Sequence, residues 1–236
     1  MAATLAPDSA FDFAKTMIKK MPLQDIKIRV LDSINKIIWM AAPWRWTIGS
    51  LTALNLAAST QDYAITLPAD FLYAVRSYIT DGAKPTRELS IESALPTAVV
   101  LVGQPTRISF TGAGGSGNAR VSPKVPADHP ASPTQQIITL YKKTSPLITS
   151  GNAATGGVLV MDDEWWWVYE AGVLWLAYLY ADDARAGGAQ VDPMSGRVQY
   201  TGQRGTFEGA LIQMKEREKL WLVDPKSAQE PKATEV

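Results

Sequence analysis

Apolar residues recur along the chain first at the spacing of a helix, then at that of a strand, then at that of a helix again. Phe11, Ala14 and Ile18 share one side of a first short helix, with Phe13 and Met17 beside them and Asp8 or Ser9 placed to cap it. Pro22 resets the chain. Leu23, Ile26, Val30, Ile34, Ile37 and Ile38 then return at helical spacing, while Lys27, Arg29, Asp32 and Lys36 fall largely on other faces. Pro43 ends this second helix, because a proline ring cannot continue the hydrogen-bond ladder.

From Trp44 to about Thr149 the pattern shortens. Trp44-Arg45-Trp46-Thr47-Ile48 is aromatic and β-branched, and Gly49 closes it. Tyr63, Ile65 and Leu67 alternate with Asp62, Ala64 and Thr66, the mark of a half-buried strand. Phe71 to Ile79, Arg87 to Ile91, Arg107 to Thr111, Ala119 to Val121 and Gln136 to Lys142 are further short strands, punctuated by Gly82, Pro85, Pro96, Gly103, Pro105, a glycine-rich run at 112–117 and prolines from Pro123 to Pro133. No long amphipathic helix interrupts them, so the region reads as an antiparallel β lobe.

Helix returns at Asp162-Asp163-Glu164, acids that the macrodipole favours at a helix N-terminus. It runs to about Asp183 and stops before Gly187-Gly188; a polar loop follows over Ala189 to Gly205. A last helix, Thr206 to Leu222, carries Phe207, Ala210, Leu211 and Met214 on one side and Lys215 to Lys219 on the other. The expected class is therefore α+β: a helical lobe built from N- and C-terminal helices, with an inserted antiparallel β-rich lobe. The expected divisions are 1–43, 44–160, 161–223 and a flexible tail over 224–236.

Composition narrows the chemistry. Lys+Arg and Asp+Glu are equal at 23 each, which removes the basic excess expected of a nucleic-acid or membrane-surface binder. The chain has no cysteine, so disulfides, thiolate nucleophiles and cysteine-based zinc sites are excluded. Met1 to Ala10 shows no basic cluster leading into an apolar run, and the expectation is a protein made in the cytoplasm without a secretory signal. Trp165 to Ala181 is apolar apart from Glu170 and its tyrosine hydroxyls, but it is at the bottom edge of a bilayer span and is flanked by acids, so it reads as a helix buried by protein.

Catalytic patterns fail in context. His129 is the only histidine and sits between prolines in Pro126-Ala-Asp-His-Pro130, with no H-E-x-x-H and no G-x-S-x-G nearby. Gly112-Ala-Gly114-Gly115-Ser-Gly117 has the spacing of a dinucleotide fingerprint, yet Asn118-Ala-Arg-Val-Ser-Pro123 follows it where a phosphate-binding helix would have to start. A hairpin tip is the better reading. Asp162–Glu164 and Asp182-Asp183 are adjacent acids pointing different ways, which suits capping and solvation better than chelation. No catalytic residue, cofactor or metal site is expected.

The aromatic helix stands out. Trp165, Trp166, Trp167, Tyr169, Trp175, Tyr178 and Tyr180 point in every direction around one axis. They serve an intramolecular core, a subunit or portal interface for which Trp and Tyr are well suited, or a stacking platform for sugars or bases. The interface reading singles out Trp165, Trp166, Trp167, Tyr169, Trp175 and Tyr178.

The order of these elements resembles the head-to-tail adaptor (connector, or neck) proteins of tailed bacteriophages. The resemblance covers about residues 20 to 222. It is carried by the helix Leu23–Met40 leading into Pro43-Trp44-Arg45-Trp46, by Tyr63-Ala-Ile-Thr-Leu-Pro-Ala-Asp-Phe71, by Gly103-Gln-Pro-Thr-Arg-Ile-Ser-Phe110, and by Gln136-Ile-Ile-Thr-Leu-Tyr141-Lys-Lys before Ser145-Pro-Leu147. The aromatic helix and Phe207 to Lys219 complete it. The Trp triplet and the glycine-rich tip are not features the family requires.

The resemblance implies a structural virion protein, not an enzyme, that sits in the neck as a homo-oligomeric ring, twelve-fold beneath the portal. It would extend the DNA channel, let double-stranded DNA pass without sequence-specific binding, and present a platform to tail, nozzle or tail-tube proteins. It also implies portal and subunit contacts through the helical lobe, a tail-facing or outer β lobe, and a docking tail marked by Asp224, Lys226, Lys232 and Val236. The alternatives are a tail-terminator or proximal tail-tube protein of the same particle and, from another class, a glycan-binding β module or hydrolase. No membrane partner is expected.

Overall fold

A computed structural model describes residues 4–18, 26–81, 84–97, 101–113, 115–129 and 135–223. The chain is α+β, its described residues forming four α-helices and a curled mixed sheet. Its contacts divide it into two compact units, one made of Met1–Trp46 with Ser145–Val236 and the other of Thr47–Thr144. The β unit is shorter at both ends than 44–160, and specific side chains explain why. Trp44 packs in the helical core with its indole N–H on the Ile38 carbonyl, and stacks on Trp46 at 5.6 Å. At the other end Asn35 donates to the Pro146 carbonyl at 2.8 Å, and the Asp32 carboxylate accepts from the Ile148 N–H at 3.1 Å. Ile148, Ala153 and Leu159 then bury among the helices.

In the helical unit, α1 spans Pro7–Met17 and buries Pro7, Ala10, Phe11 and Ala14. Pro7 starts the helix, since its fixed φ suits the first turn and its missing N–H costs nothing there. The caps expected from Asp8 or Ser9 are not made; Asp8 instead forms an ion pair with Lys27 at 2.6 Å. α2, Lys27–Ala41, buries Val30, Leu31, Ile34, Asn35, Ile38 and Trp39. The proposed reset at Pro22 and the start at Leu23 lie outside the described residues.

The third helix starts later than Asp162. Asp163–Trp165 is a 3-10 turn, and α3 proper is Trp166–Tyr180. None of the three acids makes a side-chain cap: Asp162 pairs with Arg45, and Asp163 takes the Thr4 N–H at 2.8 Å. α3 touches α1, α2 and α4, which is why nearly every face of it is apolar. Gly172 allows the closest approach, since a Cβ there would meet Ile34 and Phe207 atoms at 2.8 Å. α4, Gly202–Val223, begins before the expected Thr206 and buries Phe207, Ala210, Leu211 and Met214.

The segment read as a loop between α3 and α4 holds a two-stranded hairpin. Its strands are written β9, Ala189–Val191, and β10, Val198–Tyr200, after the eight strands of the other unit.

In the β unit the strands are β1 Ile48–Ser50, β2 Leu54–Asn55, β3 Asp62–Ile65, β4 Phe71–Asp81, β5 Lys84–Glu92, β6 Arg107–Ala113, β7 Ser116–Ser122 and β8 Gln135–Lys143. Arg45–Thr47, expected in a strand, is a 3-10 turn. The order is β1-β8-β4-β5-β6-β7-β3, with β2 also on β8. The expected all-antiparallel lobe needs one correction. β5 and β6 pair in parallel, Ser90↔Arg107 to Glu92↔Ser109, because the residues between Glu92 and Arg107 are enough for a crossover. One core runs from Leu56 and Tyr63 through Ile79, Leu89 and Ile108 to Val121 and Ile137, so the sheet curls round to bring both its edges onto the same side chains. The glycine-rich run forms the β6–β7 hairpin end, with Gly112 opposite Gly117 and φ +116° at Gly112.

Candidate assembly surface

The six aromatic residues singled out on α3 have different fates. Trp165, Trp166, Tyr169 and Tyr178 are buried in their own unit. Trp165 donates to the Glu218 carboxylate at 3.3 Å, Trp166 to Glu170 at 2.8 Å, and the Tyr169 hydroxyl to the Leu31 carbonyl at 3.0 Å. Burial, helped by Asp32 and Asp8, drives the Tyr169 phenol well above its ordinary pKa, and burial raises Glu218 despite the Trp165 N–H. Trp175 is half-buried, stacked on Phe207 at 5.6 Å and covered by the Arg204 guanidinium. Trp167, 42% exposed, is the one of the six with an open ring. A stacking platform for sugars or bases on this helix would therefore rest on Trp167 and Tyr180, the latter 39% exposed. The tail residues Asp224, Lys226, Lys232 and Val236 lie outside the described residues.

Part of the outward apolar surface of this unit lies on the β9–β10 hairpin, with Met40, Leu147, Leu179 and Ile212 exposed elsewhere. Register pairs Val198 with Val191 and Tyr200 with Ala189, so these four share one face, while Gln190 and Gln199 share the other. Every strand residue is exposed, so the ribbon stands off its own unit. Its turn is nonetheless well made. Asp192 accepts from the Met194 N–H at 2.9 Å and the Ser195 hydroxyl at 2.6 Å, holding its carboxyl below the usual range, and its backbone takes the Gly196 N–H at 2.8 Å. Met194 is left at the apex, 94% exposed. At the base the Thr201 N–H donates to the Gly188 carbonyl at 2.9 Å, and Arg204 lies over the Tyr200 ring at 4.3 Å. The sequence signal for this hairpin is the Gln-Val and Val-Gln-Tyr alternation about Asp192-Pro-Met-Ser-Gly196, which a reading for helix periodicity passes over.

A cleft of about 530 Å3 opens in the same unit beside the hairpin's root. Met17, Ile18 and Ala181 line it, with Asp182 and the Asp183–Arg185 ion pair, 2.7 Å, at its rim. Arg185 holds the Asp183 carboxyl down at about 2.

The β unit holds a cavity with no charged residue in its lining. The cavity, of about 240 Å3, is lined by Leu54, Ile65, Thr66, Ile108, Phe110 and Thr139 among other uncharged residues. Both His129 ring nitrogens are buried, and among the described residues neither has a hydrogen-bond partner, so none of those residues sets a serine hydroxyl or a carboxylate against them. Among the described residues no group of three or more His, Cys, Asp or Glu side chains is placed to hold a metal ion. No helix of the described residues is long and apolar enough to cross a membrane. The chain matches no protein-family model and no curated protein sequence.

Proposed function

We propose that this protein is a structural component of a tailed-phage neck, a head-to-tail adaptor whose copies form a ring beneath the portal. In this reading the helices of both chain ends make the lobe that meets neighbouring copies and the portal, and the β unit is a lobe inserted into it, facing outward or toward the tail. The observation that carries the reading is the β9–β10 ribbon, an ordered hairpin with exposed Val191 and Val198 on one face and Met194 at its tip. Exposed apolar groups fixed in a defined conformation mark an assembly surface more readily than a site of chemistry. The element order supports the family, and the equal numbers of basic and acidic residues suit a channel through which DNA must pass without being gripped.

The test is location. Purified particles, imaged by cryo-EM and checked by mass spectrometry, should contain the chain as a symmetric ring against the portal. A chain abundant in infected cells and absent from particles would sink the reading. Ring density remote from the portal, at the end of a tail tube, would move it to the tail-terminator class.

A further inference from the structure

We infer that the β unit binds a small uncharged molecule, a single ring or short alkyl chain ending in a hydroxyl, in the cavity at the open seam of its sheet. The inference is independent of the neck reading and rests on how this one unit packs.

The buried apolar residues of the β unit fall into two clusters, one that includes Ile108, Ala119 and Ile137 and a smaller one of Leu51, Leu67 and Tyr141. A domain ordinarily has one contiguous core. Ile65 and Phe110 pack against both clusters, and the cavity of about 240 Å3 lies where the two would meet. Leu51 lines it from one cluster, Ile108, Ala119 and Ile137 from the other, and Ile65 and Phe110 bridge them. The strand order places the gap. β1 and β3 are the two ends of that order, and among the described residues no ladder joins β3 to β1 or β2. Residues 51–54 line one side of the resulting seam and residues 64–66 the other. One end of the seam is tied, where the Ala57 N–H donates to the Tyr63 hydroxyl at 3.2 Å.

The lining specifies the occupant. Ile108, Ala119 and Ile137 are buried and form the floor, whereas Thr52, Ala64 and Thr66 are exposed and form the rim. On the floor the Thr139 hydroxyl is engaged with that of Ser77 at 2.9 Å. Water there finds few of the polar partners it needs, while an apolar body gains the contacts that the split core lacks. At the rim the Thr52 and Thr66 hydroxyls offer hydrogen bonds to the polar end of a ligand. No described lining residue carries a charge, so an ion would lose its hydration without compensation. An engineered apolar cavity of about 150 Å3 holds benzene, so this one has room for a ring with a short substituent.

The probes are phenethyl alcohol and its two charged counterparts, phenylacetate and phenethylammonium, titrated at neutral pH into the intact chain and followed by NMR of the backbone amides. The alcohol should shift the amides of residues 51–54 and 64–66 saturably. Each ion should bind about ten-fold more weakly or worse, because the lining offers it no countercharge. Equal affinity for either ion would overturn the uncharged class. Shifts confined to other residues, or none up to the solubility limit of the alcohol, would overturn the site. Ala119→Leu adds a larger side chain to the floor and should abolish the shifts caused by the alcohol without lowering the melting temperature. A folded Ala119→Leu protein that binds as the parent does overturns the location. Should that variant not fold, Ala53→Leu at the half-buried rim takes its place. Its expected loss of affinity is about ten-fold, from steric closure of the mouth, and undiminished binding would again overturn the site.

Discussion

Two residues show how far local preference yields to packing. A glycine inside a helix ordinarily costs about 1 kcal/mol relative to alanine. At Gly172 the sign should reverse, because a methyl group would be wedged between Ile34 of α2 and Phe207 of α4. Gly172→Ala is expected to lower unfolding free energy by roughly 1–3 kcal/mol, measured by urea titration, and Gly172→Val by more. Lys142 is the other case. It is 1% exposed, its ammonium donates to the Thr47 hydroxyl at 2.7 Å, and burial pulls its pKa down to about 8. Its folded pKa is below the unfolded value of 10.5, so the unfolded chain binds more protons between the two. Stability should therefore rise with pH from 8 upward, by at most roughly 3 kcal/mol over the full interval. Burial and Asp70 raise the neighbouring Tyr141 to about 12, which opposes this trend above pH 10, so the comparison belongs between pH 8 and 9.5. Denaturant melts of Lys142→Met should lack the rise. A slope equal to that of the parent would assign it to other groups.

Among the elements, periodicity carries reliable information about faces and little about partners. Phe11 and Ala14 on α1, Val30, Ile34 and Ile38 on α2, and Phe207, Ala210, Leu211 and Met214 on α4 are buried where their spacing puts them. Tyr63 is likewise the buried residue of its alternating strand. The acids at 162–164 do stand at a helix N-terminus, but none makes a side-chain cap; Asp162 pairs instead with Arg45, which only tertiary folding sets beside it. The β5–β6 pairing was not legible either, since strand direction depends on the path of a crossover and not on alternation within the strands. For the aromatic helix, composition does not tell a core from an interface; the neighbours of each ring decide that. The β6–β7 hairpin offers a test at this scale. A Cβ at Gly112 would meet the Ser116 carbonyl and the Gly117 Cα at 2.6 Å, at a φ of +116°. Gly112→Ala should destabilise the β unit by about 1–3 kcal/mol and loosen amide protection along β6 and β7, read by hydrogen exchange.

For the whole molecule, the candidate assembly surface was the least legible part. Trp165 to Tyr178 drew attention by their size, yet most of these rings close the unit's own core. The ribbon that projects is built from short, ordinary residues, Ala189 to Tyr200. A mutation in each place should separate the two roles. Trp165→Ala should cost about 3–5 kcal/mol in thermal or denaturant unfolding, because it empties a buried indole site. Met194→Ser should leave stability within about 0.5 kcal/mol, as expected for a surface change.

Ile48 and Lys142 are partners in adjacent antiparallel strands, so the β unit leaves its host chain and rejoins it at neighbouring points. Such a unit is a cassette. Removing Thr47–Thr144 and joining Trp46 to Ser145 by a few glycines should leave a helical protein that melts cooperatively, because both ends of the excised segment lie within three residues of the paired Ile48 and Lys142. The same geometry lets recombination exchange one inserted β domain for another between the same two points of the chain.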